Sequence, residues 1–358
     1  IDSSEVVWAS GGNKAKFIAQ YLLGEQVGKG SFGKVKEGLD RDTLRRVAVK
    51  IINRKRLKKV QGGVGAVTTE IKLLRRLKHP NIITLLDVFC KVEDTSASAS
   101  PAIFAWFSTI EEEPIVWQYE DGPGETMAKI LKWYLIFEYC PCSLQTLVEQ
   151  AEGGRLGVDM AHRYFVQLIE GLDYLHSQSV IHRDIKPGNL LITPDGVLQI
   201  SDFGIAEQFS MYSGEPMETG TFAGTHQFLS PEITSGAPSF LGEKVDVWAC
   251  GVTLFNMLTG RYPFEFDPGE EHNVLSLYDK IQEGRFDMPK EFDPDLQDLL
   301  YGMLRKDPAT RLSTSQILSH PWTRTFFDKP LKSKLTIQTY PMPSSPDTPT
   351  TPSLPLKP

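Results

Sequence analysis

The feature that most restricts the fold is a change of hydrophobic period partway along the chain. Up to about residue 52 the apolar residues fall in short alternating runs, Val35-Lys36-Glu37-Gly38-Leu39 and Val47-Ala48-Val49-Lys50-Ile51 among them, and these predict strands. Residues 66–78 take helical spacing, with Ile71, Leu74 and Leu77 three apart and Lys72, Arg75, Arg76 and Lys78 between them. Ile82–Phe89 and Trp133–Tyr139 read as strands again. From about Leu144 helices dominate, and Tyr164, Leu168, Leu172 and Leu175 mark one buried face. A strand-rich first third before a helix-rich remainder predicts two lobes of different architecture, hinged near Glu138–Pro141.

Composition narrows the function classes. The 358 residues are 41% hydrophobic, enough for a real core, and carry a net charge of −7, which argues against a protein whose main task is gripping nucleic acid. No run of about 18 uncharged apolar residues is present, so no membrane span is expected. Four cysteines in a chain this long do not make a disulfide framework, so a cytoplasmic or nuclear location is the expectation. Residues 1–20 read as a loose leader and 323–358 as a Pro/Ser/Thr-rich disordered tail. Between them, 21–322 reads as the folded unit: a first lobe over 21–138, interrupted by an insertion at about 94–130, and a second lobe over 142–322. The insertion carries Trp106, Phe107 and Trp117, and a docking patch there ranks below a tolerated disordered insertion or translated non-coding sequence. The basic run Arg54–Lys59 reads as a solvated loop rather than a nuclear-targeting or nucleic-acid signal.

Gly28-Lys29-Gly30-Ser31-Phe32-Gly33 matches G-x-G-x-x-G, but an alternating strand beginning at Val35 follows it where a dinucleotide-binding turn would open a helix. The context favours a glycine hairpin whose amides cover phosphates. Lys50 lies in an apolar strand, where an ammonium needs a partner, and Glu70 in the following helix can supply one. Farther on, His182-Arg183-Asp184-Ile185-Lys186-Pro187-Gly188-Asn189 precedes two short strands, and Asp202-Phe203-Gly204 follows. Asn189 and Asp202 offer the oxygen ligands that Mg²⁺ takes. Asp184 is placed to orient a hydroxyl and accept its proton, and Lys186 to offset charge on a transferring phosphoryl group.

In that order these motifs resemble the eukaryotic protein kinases, over about Tyr21 to Trp322, and Lys186 marks the serine/threonine class. The resemblance implies an α+β fold of two lobes, a small antiparallel β-sheet lobe with one main helix and a larger, mainly helical one, and it implies ATP with Mg²⁺, or Mn²⁺ as a substitute. It implies that Val27, Val35, Ala48 and Leu191 sandwich the adenine, that Phe137 is the gatekeeper, and that the main chain of Glu138 and Cys140 meets the base. It also implies an ion pair between Glu232 of Ser230-Pro231-Glu232 and Arg311, and an anchoring role for Asp246. Thr225 would touch Asp184 and Lys186, and Thr221 would be a tunable phosphorylation site. Glu138-Tyr139-Cys140-Pro141-Cys142, Ile205-Ala206-Glu207 and Gly251-Val252-Thr253-Leu254-Phe255-Asn256 resemble the LKB-type kinases upstream of AMP-activated protein kinase. That implies protein substrates that are themselves kinases, a pseudokinase adaptor and a helical-repeat scaffold. The competing readings are a serine/threonine kinase of another subgroup, a nucleotide-binding pseudokinase and a small-molecule phosphotransferase. Lys50, Asp184, Asn189 and Asp202, all present, argue against the pseudokinase.

Overall fold

The computed structural model describes residues 16–30, 33–57, 63–93, 104–106, 129–203, 207–208, 217–218, 226–267, 269 and 273–325. The alternating runs of the first third form one antiparallel sheet. Its strands are β1 (Lys16–Ile18), β2 (Tyr21–Gly30), β3 (Gly33–Asp40), β4 (Arg46–Asn53), β5 (Leu85–Glu93), β6 (Phe104–Trp106) and β7 (Lys129–Glu138), in the order β1-β2-β3-β4-β7-β5-β6. The period of two divides β4 between its faces: Val47 and Val49 pack with Ile18, Phe89 and Ile136 on one side, while Ala48 and Lys50 turn to the other. Helix α2 (Gly63–Arg76) buries Val67, Glu70, Ile71, Leu73 and Leu74.

Four expectations change here. The end of the supposed leader is β1, where Ile18 is fully buried and pairs with Tyr21. The basic run opens with a single helical turn, α1 (Arg54–Leu57), because Leu57 is buried even though its neighbours are cationic. Within the supposed insertion, β6 pairs with β5 (Phe89 with Trp106, Lys91 with Phe104), and β7 begins at Lys129. Phe107, Trp117 and the tail beyond residue 325 lie outside the described residues. The strand read from Ile82 starts at Leu85 instead. Ile83 donates its amide to the Ile200 carbonyl at 3.0 Å and Ile200 donates to the Asn81 carbonyl at 2.9 Å, so this stretch stitches the two lobes together.

The second lobe opens with β8 (Cys142–Ser143) and α3 (Leu144–Gln150), whose first turn is capped by the Ser143 hydroxyl accepting from the Thr146 amide. Helix α4 (Val158–Ser177) buries Tyr164, Leu168, Leu172 and Leu175. The strands β9 (Val180–Ile181), β10 (Leu190–Ile192) and β11 (Leu198–Ile200) follow, the last two an antiparallel pair. Next come α5 (Pro231–Thr234), α6 (Gly242–Thr259), α7 (Val274–Glu283), α8 (Pro294–Met303), α9 (Thr314–Leu318) and α10 (Pro321–Arg324). Helix α6 is apolar nearly all round and lies buried along most of its length, as a central helix must. No helix among the described residues is long and apolar enough to cross a membrane.

Candidate active site

A cleft of about 470 Å³ opens between the sheet and the helical lobe. Val27, Val35 and Ala48 line it from the sheet side, Leu191 from β10, and Glu138 and Cys140 from the segment joining the lobes. Gly28 lines it as well. Gly33, the last glycine of the hairpin, admits no side chain, since a Cβ there would overlap the Ile51 carbonyl across the β3–β4 ladder. Ser31, Phe32, Gly204, Thr221 and Thr225 lie outside the described residues, and Lys29 and Gly30 are described only as backbone of β2.

Lys50, in register with Val35 and Leu135, sends its ammonium into the cleft. Its Nζ donates to Glu70 Oε1 at 2.7 Å and to Asp202 Oδ1 at 3.0 Å, joining strand, helix and the loop after β11. Burial works against the charge of Lys50, but the two carboxylates outweigh it and hold the ammonium above its ordinary pKa. The described residues lining the cleft include one cation, Lys50, and three carboxylates, Glu70, Glu138 and Asp202.

The loop carrying Asp184 is fixed from beneath. Asp246, fully buried in α6, accepts from the amides of His182 at 2.9 Å and Arg183 at 2.8 Å and bonds His176 Nε2 at 3.0 Å. The Asp184 amide donates to His182 Nδ1 at 3.2 Å. The proton of that imidazole therefore sits on Nε2, which donates to the Ser201 carbonyl at 3.0 Å. Phe203 packs edge-on against the same ring. Arg183 and Asp202 adopt left-handed φ values of 68° and 61°, and the bonds just described hold the first of them there. Asp184 itself takes Lys186 Nζ on both oxygens at 2.8 Å and the Asn189 amide on Oδ2 at 2.7 Å.

Asn189 also donates to the Asp184 carbonyl at 2.8 Å. With both amide hydrogens used on Asp184, its oxygen is what Asn189 can offer to the cleft. Asn189 and Asp202 thus present oxygen donors to one space, and they fit a hard divalent cation. Among the described residues no three His, Cys, Asp or Glu side chains form a metal cluster, so the protein would fill only part of such an ion's shell. Behind the site, Arg311 grips Glu232 through two bonds, Nη1–Oε1 at 2.7 Å and Nη2–Oε2 at 2.9 Å.

The sequence readings thus bring Lys50, Glu70, Asn189 and Asp202 to one cleft, with Asp184 and Lys186 linked to it through Asn189. They passed over two groups. His176 gives its role away only once α4 and α6 are packed, 70 residues apart in the chain. Gln199, in β11, belongs to no motif, yet it is buried against the hinge.

A family profile described as the protein kinase domain matches residues 21–323. The chain is 41% identical over 348 residues to the serine/threonine-protein kinase stk11 of Xenopus laevis, covering 97% of this chain and 69% of that one. It is 40% identical over 348 residues to human serine/threonine-protein kinase STK11, with the same coverage. It is 38% identical over 317 residues to the serine/threonine-protein kinase par-4 of Caenorhabditis briggsae, covering 88% of this chain and 42% of that one.

Proposed function

The chain belongs to the protein kinase family and is an LKB-type serine/threonine kinase, a phosphotransferase acting on protein, and from that premise we propose how its residues work and on what. Its phosphoryl donor is ATP, taken with Mg²⁺ and with Mn²⁺ as a substitute. The acceptors are threonines in the activation loops of other kinases, those related to AMP-activated protein kinase. A pseudokinase adaptor and a helical-repeat scaffold raise its activity, and it works in the cytoplasm or nucleus.

Adenine lies between Val27, Val35 and Ala48 above and Leu191 below, with the main chain of Glu138 and Cys140 at its edge. Lys50, steadied by Glu70, holds the α- and β-phosphates. Asn189 and Asp202 would hold the divalent ion, whose chemistry when bound is to neutralise charge on the phosphate oxygens. Asp184 points its carboxylate at the acceptor hydroxyl and takes the proton as the oxygen attacks phosphorus. Lys186, already 2.8 Å from both Asp184 oxygens, stabilises charge on the group in transfer.

One observation carries this reading: a single ammonium holds the helix glutamate and Asp202 together in the cleft that Asn189 also lines. The test is transfer of radiolabelled phosphate from ATP to an activation-loop threonine peptide, with and without adaptor and scaffold. Asp184→Asn should lose transfer by about 10³-fold or more while MgATP still raises the melting temperature. Comparable turnover by that variant overturns the role of Asp184, and labelling of unrelated peptides alone overturns the substrate assignment.

A further inference from the structure

The hinge side chains alternate in their partners. Tyr139 goes to the sheet, where the Arg46 guanidinium lies 3.9 Å from its ring centroid and donates to its hydroxyl at 2.7 Å. Glu138 and Cys140 both end on one residue of the other lobe, Gln199 of β11. The Gln199 Nε2 donates to Glu138 Oε2 at 2.8 Å, and the Cys140 thiol donates to Gln199 Oε1 at 3.5 Å. Gln199 is 5% exposed and is paired in register with Leu191, which lines the cleft.

Few side chains could serve here. A carboxylate only accepts, an ammonium only donates, and a thioether does neither well; the amide of glutamine does both at once, at this reach. The thiol end is dependable near neutral pH, because burial, and after it the charge of Glu138, pushes Cys140 up to about 12, so its proton stays on. The two hinge residues held in this way are those whose main chain is assigned to the adenine.

We propose that Gln199 is a positioning residue of the nucleotide site: one buried amide fixes Glu138 and Cys140 together, and so sets how tightly ATP is held rather than how fast phosphate is transferred. The proposal rests on the kinase reading above. Nothing in it touches Asp184 or the phosphates, so loss of the amide should appear in KM for ATP and leave kcat nearly alone.

The test uses the full chain and a peptide phosphorylation assay at varied ATP. Gln199→Leu should raise KM for ATP about tenfold with kcat within about twofold of the parent. Gln199→Glu, which sets two carboxylates face to face, should be worse. The exchange Glu138→Gln with Gln199→Glu restores a donor opposite an acceptor and keeps an acceptor for the proton of the Cys140 thiol, so its KM should return to within about threefold of the parent. A melting curve without nucleotide accompanies each variant. An exchanged protein as impaired as Gln199→Glu, or one that does not fold, overturns the assignment; so does a Gln199→Leu enzyme that loses kcat at unchanged KM. A parent chain that neither transfers phosphate from ATP nor gains thermal stability from MgATP defeats the kinase reading itself. An active parent with a KM indifferent to residue 199 defeats only the role of Gln199.

Discussion

His162 shows how much one side chain in this protein depends on its surroundings. It is buried on α4, edge-on to Trp322, with Nε2 facing the carbonyls of Trp322 and Thr323 at 3.1 and 2.9 Å. Burial lowers its pKa, and the two carbonyls, which favour the protonated ring, offset this only in part. The folded protein therefore holds the ring neutral at pH values where the unfolded chain, with an ordinary imidazole near 6.5, takes up a proton. Stability contributed by His162 is present above that pH and lost as acid is added, at up to about 1.4 kcal/mol per pH unit. Melting curves between about pH 7.5 and 5.5 should fall for the parent chain and fall less steeply for His162→Gln. At this scale the sequence was legible wherever a residue type contradicts its setting. Lys50 in an apolar strand demands a carboxylate, and Glu70 supplies it. It was opaque where a residue belongs to no motif: nothing around Gln199 in the chain marks it, and only the packed hinge gives it two partners.

Among the elements, the long ones announced themselves. Helix α4 repeats its apolar residues over 20 positions, and the β3 and β4 alternations leave little choice of register. The short ones did not. Three residues, as in β1 or β6, carry no period to detect, and only the partner strand makes them strands. In α1 three cations hide the single buried leucine. The link from α5 to the turn before α9 was legible as a pair, Glu232 with Arg311, but not in its depth. The Arg311 side chain is fully enclosed, donates also to the Lys244 and Arg305 carbonyls, and lies over Trp248. Arg311→Met strands a buried carboxylate and should cost about 3–5 kcal/mol in chemical denaturation. Arg311→Lys keeps the charge but loses the two-pronged grip, and should cost about 1.5–3 kcal/mol. Equal stability of the lysine variant and the parent would mean that the planar fork contributes nothing.

For the molecule as a whole, the break in hydrophobic period foretold two lobes, and the chemistry gathers where they meet because each supplies half of it. Glu70 and Lys50 come from the sheet lobe, Asn189 and Asp202 from the helical one. The balance of charge at that seam has a consequence of its own. With three carboxylates and a single ammonium among the described residues that line it, the cleft is electronegative and should repel a bare triphosphate. Nucleotide and divalent cation should then show positive linkage, each strengthening the other's binding by the same factor. In a thermal-shift titration, ATP in excess chelator should leave the melting temperature within about 1 °C of the free protein, and restoring Mg²⁺ should raise it by several degrees. Full stabilisation by the metal-free nucleotide would contradict that expectation. The empty enzyme, on this account, discriminates against half-assembled cargo by Coulomb repulsion alone.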